Sequence, residues 1–323
     1  MKTKGIGVLW DERYVPEEMD RDKPFYDEKL NRTMEYMAKR GRGEGIDIYV
    51  AHFSKYNKGK LERGYFFDGK WKTTQGIEID LIFDKFYFDK ETKKLKYRAD
   101  KEVGVLNRPE FEELCKDKYK LYKIFPDYIP VTFRSDQDIE EILSEIRTDL
   151  VVLKPRFGSG GEGVKIVQKD EVKEELVKFD AEEVENGNIV LQEFKNSSEG
   201  IPFLDIKNVH DLRVITINGR PSYSFVRIPQ EGYITNVNRG GRIVHVPLEK
   251  VVNDKKTSEI LEDVKERLSR HGRCIYSVDI VFDREETPWI IELNSKPGIK
   301  FNGREVTKRK KQFIDDIISI LKD

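Results

Sequence analysis

The sequence predicts a mixed α/β and α+β protein, with an α/β lobe at the N-terminus followed by two α+β lobes. Three observations carry this reading. The chain has 323 residues, more than one hydrophobic core usually serves. The first fifty residues run strand, helix, strand. Beyond residue 113, short apolar strands and helices alternate around a glycine-rich turn, and a cleft between such lobes offers a site.

Taken in order, Gly5 to Trp10 reads as a strand, Asp27 to Arg40 as a helix with Leu30, Met34 and Met37 on one face, and Ile46 to Ala51 as a second strand. Tyr65 to Trp71 reads as a hairpin around Asp68-Gly69, and Ile77 to Phe83 as one strand. The first lobe ends near Asn107-Arg108-Pro109. Phe111 to Phe125 has helical spacing, closed by Pro126 and Pro130. A helix at Asp136 to Arg147, a strand at Leu150 to Lys154, a glycine loop, a strand at Val164 to Val167, a helix at Glu171 to Phe179 and a strand at Ile189 to Leu191 complete a small lobe. The remainder reads as strands at Asp211 to Ile217, Ser222 to Arg227, Ile243 to Pro247, Ile275 to Phe282 and Trp289 to Asn294, with helices at Thr257 to His271 and Lys308 to Lys322. In the last helix Phe313, Ile314, Ile317, Ile318 and Leu321 form an apolar stripe expected to pack on the sheet.

Composition excludes several classes. Lys and Arg number 59 and Asp and Glu 60, so no nucleic-acid partner and no anionic membrane surface is expected. No apolar stretch approaches a membrane span, and a cytoplasmic location is expected. Cys115 and Cys274 stand far apart, which supports neither a disulfide framework nor a zinc site; two buried free thiols are expected. Charged residues make up 37%, a thermophile-like share.

Gly158-Ser159-Gly160-Gly161-Glu162-Gly163 satisfies the G-x-G-x-x-G spacing, which in a dinucleotide fold must open a helix. Here VKIV follows, a β-branched run, so the loop is the tip of a hairpin whose backbone N–H groups can approach a phosphate. Lys154 lies within LVVLKP, where an ammonium needs a counter-charge, and phosphate would supply one. The lysine precedes the loop, unlike the Walker pattern, and there is neither an HRD nor a DFG triplet.

The run IYSVDIVFDREETPWIIELN reads as two strands joined by a four-residue loop, which sets Asp283 opposite Pro288, Val281 opposite Ile290 and Asp279 opposite Glu292. Asn294 shares the face of Glu292. Two carboxylates face to face call for a cation between them, and oxygen-only ligands favour Mg2+, with Mn2+ the other choice.

These residues resemble the ATP-grasp superfamily, which includes glutathione synthetase, D-alanine:D-alanine ligase and the RimK-type glutamate ligases, over about residues 117 to 302. Asp117-Lys118 and Lys154 look like the family's nucleotide lysines, and Gly158 to Val164, with Ser159, Gly160, Gly161 and Gly163, like its flap. Gln192, Glu193 and Phe194 look like the hinge that holds adenine, and Glu199 like a ribose ligand. Asp211-Leu212-Arg213, Asn236 to Gly241 and Glu292-Leu293-Asn294 with Pro297-Gly298 look RimK-like. Asp80 to Asp84, Asn107 and Gly200 to Phe203 are similar to the YheC/YheD-like branch.

The resemblance implies an ATP-grasp fold with a pre-ATP-grasp lobe at residues 1–113, a small lobe with the flap at 114–190 and a C-terminal lobe with the metal site at 191–323. It implies ATP with Mg2+ as cofactors, and a carboxylate activated as an acyl phosphate and captured by an amine, so that ADP and phosphate leave. The partners are then small-molecule or peptide carboxylates and amines, and a homodimer is the default assembly. Arg213, Arg239 and Arg227 are the candidates to stabilise the transferring phosphoryl group, since a guanidinium presents a rigid fork to oxyanions. Two other readings stand beside this one: a small-molecule kinase that stops at phosphoryl transfer, and a nucleotide-binding or coat-associated structural protein without turnover. His210 and His271 are assigned no role. Specificity is expected from the first lobe and from residues 197–209.

Overall fold

The computed structural model describes residues 3–158, 160–233, 235, 241–300 and 304–322. The chain divides into two compact units, one made of Met1–Glu112, Arg270–Ile275 and Ser295–Asp323, the other of Glu113–Ser269 and Tyr276–Asn294. The chain therefore returns twice to its first unit, which a division into the consecutive segments 1–113, 114–190 and 191–323 does not contain.

The first unit is built on β1 (Lys4–Trp10), α1 (Glu28–Gly43), β2 (Ile46–His52), β3 (Tyr56–Asn57), β4 (Lys60–Asp68), β5 (Lys70–Glu78), β6 (Leu81–Asp84) and α2 (Lys90–Glu102). Its sheet runs β3-β4-β2-β1-β6, with β5 paired to β4. The central strands β2, β1 and β6 are parallel, as a strand-helix-strand opening dictates. The expected single strand from Ile77 to Phe83 is two. Between them Asp80 turns back on Gly5, whose N–H donates to the Asp80 carboxylate at 2.7 Å and whose C=O accepts from Asp80 N at 2.7 Å. The helix α2 was not legible, because its Lys- and Glu-rich sequence carries little apolar periodicity; Asp89 caps it by accepting from Glu91 and Thr92 N–H.

The last helix also belongs here. Its apolar stripe, Phe313, Ile314, Ile317, Ile318 and Leu321, is fully buried, and the helix packs against α1. Gly41 on α1 admits this approach: a Cβ there would meet Ile46 O at 3.1 Å and Ile318 Cδ1 at 3.5 Å.

Asn107 fastens the two segments by which the chain re-enters this unit. It is 3% exposed, donates to Ile275 O at 2.7 Å and to Ser295 O, and accepts from Ile275 N at 2.8 Å. Beside it lies a buried set of four charges. Lys96, with no exposed surface, pairs with Asp84 at 3.0 Å and with Glu112, and Lys296 pairs with the same two carboxylates at 2.8 Å each.

In the second unit α3 (Pro109–Lys116, which begins in the first), α4 (Lys118–Ile124), β7 (Thr132–Arg134), α5 (Ile139–Glu145), β8 (Leu150–Pro155), β9 (Lys165–Gln168), α6 (Val172–Leu176), α7 (Ala181–Glu185) and β10 (Ile189–Glu193) build an antiparallel sheet, order β7-β10-β8-β9, with helices on one face. The helix expected over Phe111 to Phe125 breaks at Asp117. That residue caps α4 by accepting from Lys120 N and binds Arg156 through two hydrogen bonds of 2.7 Å.

The third sheet runs β13-β12-β11-β14-β15 and comprises β11 (Asp211–Ile217), β12 (Arg220–Ile228), β13 (Arg242–His245), β14 (Ile275–Phe282) and β15 (Pro288–Asn294). With it go α8 (Leu248–Asn253) and α9 (Lys255–Leu268), and α10 (Arg304–Lys322) is the final helix already described. Cys115 and Cys274 are free and buried. Among the described residues no helix is long and apolar enough to cross a membrane.

The four-charge set yields a stability prediction. Removing a cation from between two buried carboxylates leaves uncompensated charge, so Lys96→Met is expected to cost about 3 kcal/mol. Denaturant unfolding of the variant checks it; a loss below about 1 kcal/mol would show that Lys296 alone suffices.

Candidate functional site

Strand β8 alternates between two environments. Val151 and Leu153 point into the core under α5 and α6 with Ile142, Ile146, Val172 and Leu176, while Val152 and Lys154 point to the other face and line a cavity. On the paired strand Ile189 and Leu191 join the core and Gln192 lines the cavity. Lys154 is therefore buried by the geometry of a strand. Its amine donates to Gln192 Oε1 at 2.8 Å, and the Gln192 amide donates in turn to Thr132 Oγ1 at 2.7 Å. Burial, with the nearby Lys118 charge adding to it and Glu292 opposing, brings the Lys154 amine down to about 7.

The glycine loop joins β8 to β9 as a hairpin tip. Gly160, Gly161 and Gly163 take φ of +79°, +72° and +69°, where a side chain is strained, and a Cβ on Gly163 would lie 2.9 Å from Pro155 Cγ. The start of α4 fastens the base of the loop. Lys118 N donates to Arg156 O at 3.2 Å, and the Lys118 amine donates to Gly158 O at 2.9 Å. Burial also pulls the Lys118 amine below its ordinary value, against the pull of Glu292 and Asp117.

From the third sheet Val281, Ile291 and Glu292 face the same cavity, together with Asp211 and Arg227. Behind them sits a buried network of two aspartates and two arginines. Arg213 Nε donates to Asp279 Oδ1 at 2.7 Å and its Nη2 to Oδ2, while Arg227 Nη2 reaches Asp279 Oδ2 at 2.7 Å and also Asp211. Burial would raise the Asp279 carboxyl, but the two guanidinia outweigh it and hold it below the usual range. Asp211 fares differently: burial and the Asp279 charge outweigh its arginines and raise it to about 6. Its Oδ1 and the Nε of Arg227 are buried without a hydrogen-bond partner among the described residues.

The hairpin of β14 and β15 pairs Asp279 with Glu292 as the sequence count required, by a different route. At the turn Phe282 faces Pro288 and Val281 faces Trp289, one residue out of step with expectation. The Asp283 carboxylate explains this by accepting from Glu285 N, Thr287 N and Trp289 Nε1, which draws Asp283 into the loop. A bulge between the Ile280 and Asp279 pairs then inserts Ile291 and restores the register. Ile291 and Glu292 consequently both line the cavity, where strict alternation would have turned one away.

Of the residues singled out by sequence, Lys118, Lys154, Gly158, Gly161, Gln192, Glu193, Phe194, Arg227 and Glu292 line the cavity. Gly160 and Gly163 shape the turn without lining it. The Glu193 carboxylate accepts from Arg147 N at 3.0 Å and from Lys195 at 3.2 Å, so it is already spent. Glu199 is exposed and is not brought to the cavity. Arg213 lies behind the wall, bound to Asp279. Ser159 and Arg239 lie outside the described residues. Sequence reading missed the apolar lining, Pro130, Val152, Ile166, Val281 and Ile291, and the rim residues Lys195, Tyr233 and Thr235. Only the alternation on β8 could have signalled Val152. His210, also on the lining, is structural: Nε2 accepts from Phe282 N at 3.0 Å, Nδ1 donates to Asn208 O at 3.0 Å, and burial lowers its pKa.

For a metal ion, Asp279, Glu292 and Asn294 offer two carboxylates and an amide oxygen, a set suited to a hard divalent cation. The cation expected beside Asp279 is met in part by Arg213 and Arg227, which already hold its carboxylate. Among the described residues no group of three or more His, Cys, Asp or Glu side chains is arranged to hold a metal.

Comparison with known proteins agrees with this geometry. Residues 119–299, more than half of the chain, match the model of the prokaryotic glutathione synthetase ATP-grasp domain. The tetrahydromethanopterin:alpha-L-glutamate ligase of Methanocaldococcus jannaschii is 26% identical over 270 residues, 79% of this chain and 85% of that protein. A probable alpha-L-glutamate ligase of Thioalkalivibrio sulfidiphilus is 26% identical over 196 residues, 58% of each. Among solved structures, the VanG D-Ala:D-Ser ligase of Enterococcus faecalis superimposes with a TM-score of 0.64 at 13% identity, covering 98% of this chain and 99% of that one. The D-alanine–D-alanine ligase of Bacillus anthracis, solved with ATP, gives 0.56 at 13% identity, covering 98% and 97%. The glycine turn, the two lysines and the acidic hairpin thus sit on the fold that these matches share, and the chain belongs to the prokaryotic glutathione synthetase ATP-grasp family.

Proposed function

We propose that this ATP-dependent carboxylate–amine ligase works through an acyl phosphate formed in the cavity of the second unit, and that glutamate-type amino acids are among its substrates. The observation that carries the reading is the convergence of Lys118 and Lys154 on one side of an apolar slot with Glu292 on the other. Val152, Ile166, Val281 and Ile291 offer flat apolar walls to a base, and two desolvated ammonium groups beside a glycine turn suit a chain of phosphates. The relatives' names support the substrate class, since one is named a tetrahydromethanopterin:alpha-L-glutamate ligase and the other a probable alpha-L-glutamate ligase.

In the proposed reaction a substrate carboxylate oxygen attacks the γ-phosphorus and ADP leaves. The amine nitrogen of the second substrate then attacks the acyl carbon, phosphate leaves with the bonding pair, and the nitrogen gives up its proton. Lys118 and Lys154 hold the phosphates in line, and Arg227 faces the cavity with an Nε that has no partner among the described residues. The glycine turn covers the site and keeps water from the acyl phosphate. ATP-grasp ligases use ATP with a divalent cation. In this chain Glu292, Asn294 and, after exchange with its arginines, Asp279 would hold Mg2+, which would neutralise phosphate charge.

Two outcomes test the reading. Glu292→Gln is expected to lower Mg2+-dependent ATP turnover at least about a hundredfold with an unchanged circular dichroism spectrum, and unaltered turnover would remove Glu292 from the metal set. Because Lys154 loses its proton near pH 7 in the free enzyme and a polyanion favours the charged form, nucleotide binding above pH 7 should take up a proton and weaken as pH rises. Calorimetry in buffers of different ionisation enthalpy measures the uptake; an equal uptake in Lys154→Met would refute the assignment.

A further inference from the structure

The outward face of α2, in the first unit, carries charge of one sign. Its inward face anchors it: Thr92, Lys96 and Ala99 are buried, and Lys96 reaches Asp84 at 3.0 Å. On the opposite side, at about 100° per residue, Lys93, Tyr97, Lys90, Lys101, Lys94 and Arg98 fall in that order within about 140° of the helix surface. The five cations are exposed, and no acid lies among them. Glu91 and Glu102 flank the stripe on one edge. Asp89 and Asp100 flank it on the other, the first accepting from Glu91 N and Thr92 N, the second from Val105 N and Arg108. The side chains of the stripe, with Glu91, line an open hollow.

Other helices of the chain pair such charges. On α9 Lys265 meets Glu262 at 2.7 Å and Arg267 meets Asp263 at 2.9 Å, and on α1 Arg40 meets Asp315 at 2.9 Å. On the stripe, by contrast, the ammonium groups of Lys90, Lys94 and Lys101 meet no carboxylate, carbonyl or ring among the described residues, and Arg98 approaches Glu102 only to 3.9 Å. Position adds to the cost. Lys90, Lys93 and Lys94 stand in the first turns, where the helix dipole opposes cations. Lys90 with Lys93, Lys90 with Lys94, Lys94 with Arg98, and Arg98 with Lys101 are like-charge neighbours three or four residues apart. Local helix chemistry disfavours this arrangement, and a polyanion laid along the stripe would relieve both penalties.

We propose that this face of α2 is a docking surface for an acidic peptide segment, a run of Glu or Asp in an extended stretch of a partner protein. The stripe from Lys90 to Lys101 is about 16 Å long at about 1.5 Å per residue, the reach of about five extended residues. Same-face side chains of an extended chain stand about 6.6 Å apart, close to the roughly 6 Å between helix positions four apart, so carboxylates at alternate positions meet successive lysines. Tyr97 offers a flat contact for the methylene groups between them. A lipid surface fits less well, because the stripe has no apolar side chain to insert beyond Tyr97. A nucleic acid also fits less well: four of the five cations are lysines, point charges without the fork that grips phosphate or guanine. The surface lies wholly within the first unit, and docking there is independent of the ligase reading.

Fluorescence anisotropy with a labelled oligoglutamate peptide tests the surface. Wild type is compared with Lys90→Gln/Lys94→Gln/Lys101→Gln, with Lys90→Arg/Lys94→Arg/Lys101→Arg and, as a control of equal charge on α1, with Lys29→Gln/Arg32→Gln/Lys39→Gln. Wild type should bind, and the glutamine triple on α2 should weaken binding at least about tenfold, while the arginine triple and the α1 control stay within about twofold. Raising the salt from about 50 to about 300 mM should weaken wild-type binding by a similar factor. The glutamine triple should melt no lower than wild type, since it removes repulsion and a dipole mismatch. The surface is overturned by absence of binding to wild type, by an equal loss in the α1 control, or by a lower melting temperature of the glutamine triple with binding also lost in the arginine triple. Tighter binding of a single-stranded RNA or of phosphatidylserine vesicles, lost in the same glutamine triple, assigns the stripe to that partner and overturns the acidic peptide.

Discussion

A buried amine with an amide as its hydrogen-bond partner is the constraint around which the second unit is organised. Lys154 sits on β8 where strand alternation sends it away from the apolar core, and the surrounding fold dries it without giving it a carboxylate. Desolvation alone would discharge it, and Lys118 on the neighbouring helix adds repulsion, so the pair stores an affinity for negative charge. Gln192 can orient the amine but cannot neutralise it. The glycine turn follows from the same demand, because backbone N–H groups approach an anion closely only where no Cβ intervenes.

The opposite wall solves the reverse problem. Asp211, Asp279 and Glu292 would repel one another on adjoining strands, and Arg213 and Arg227 hold two of them together through shared hydrogen bonds. Arg227 divides one nitrogen between two aspartates, Asp279 and Asp211. The bulge at Ile291 lets one strand contribute an apolar contact and a carboxylate at consecutive positions.

Within the first unit, polar contacts that are themselves buried hold the two segments by which the chain re-enters it. Asn107 satisfies Ile275 at the start of β14 and Ser295 just past β15, and Lys96 and Lys296 neutralise Asp84 and Glu112 beside them. Such contacts are costly to leave half made, so they fix the two chain segments more sharply than apolar packing could.

The sequence by itself determined the strands on either side of the glycine loop and the burial of Lys154, because alternation is a local property of the chain, whereas Asp279 meets Glu292 as counted only because the bulge at Ile291 offsets a one-residue shift at the turn. It missed the break at Asp117, the loop capped by Asp283 and the bulge at Ile291, each of which depends on a side chain choosing a backbone partner over continued helix or ladder. Neither the return of α10 to α1 nor the engagement of Asp279 by Arg213 and Arg227 could be read from spacing, since the partners are more than 50 residues apart. Asp279 does pair with Glu292, but spacing could not show that two arginines already hold Asp279. Only tertiary structure decides which distant cation reaches a buried carboxylate first.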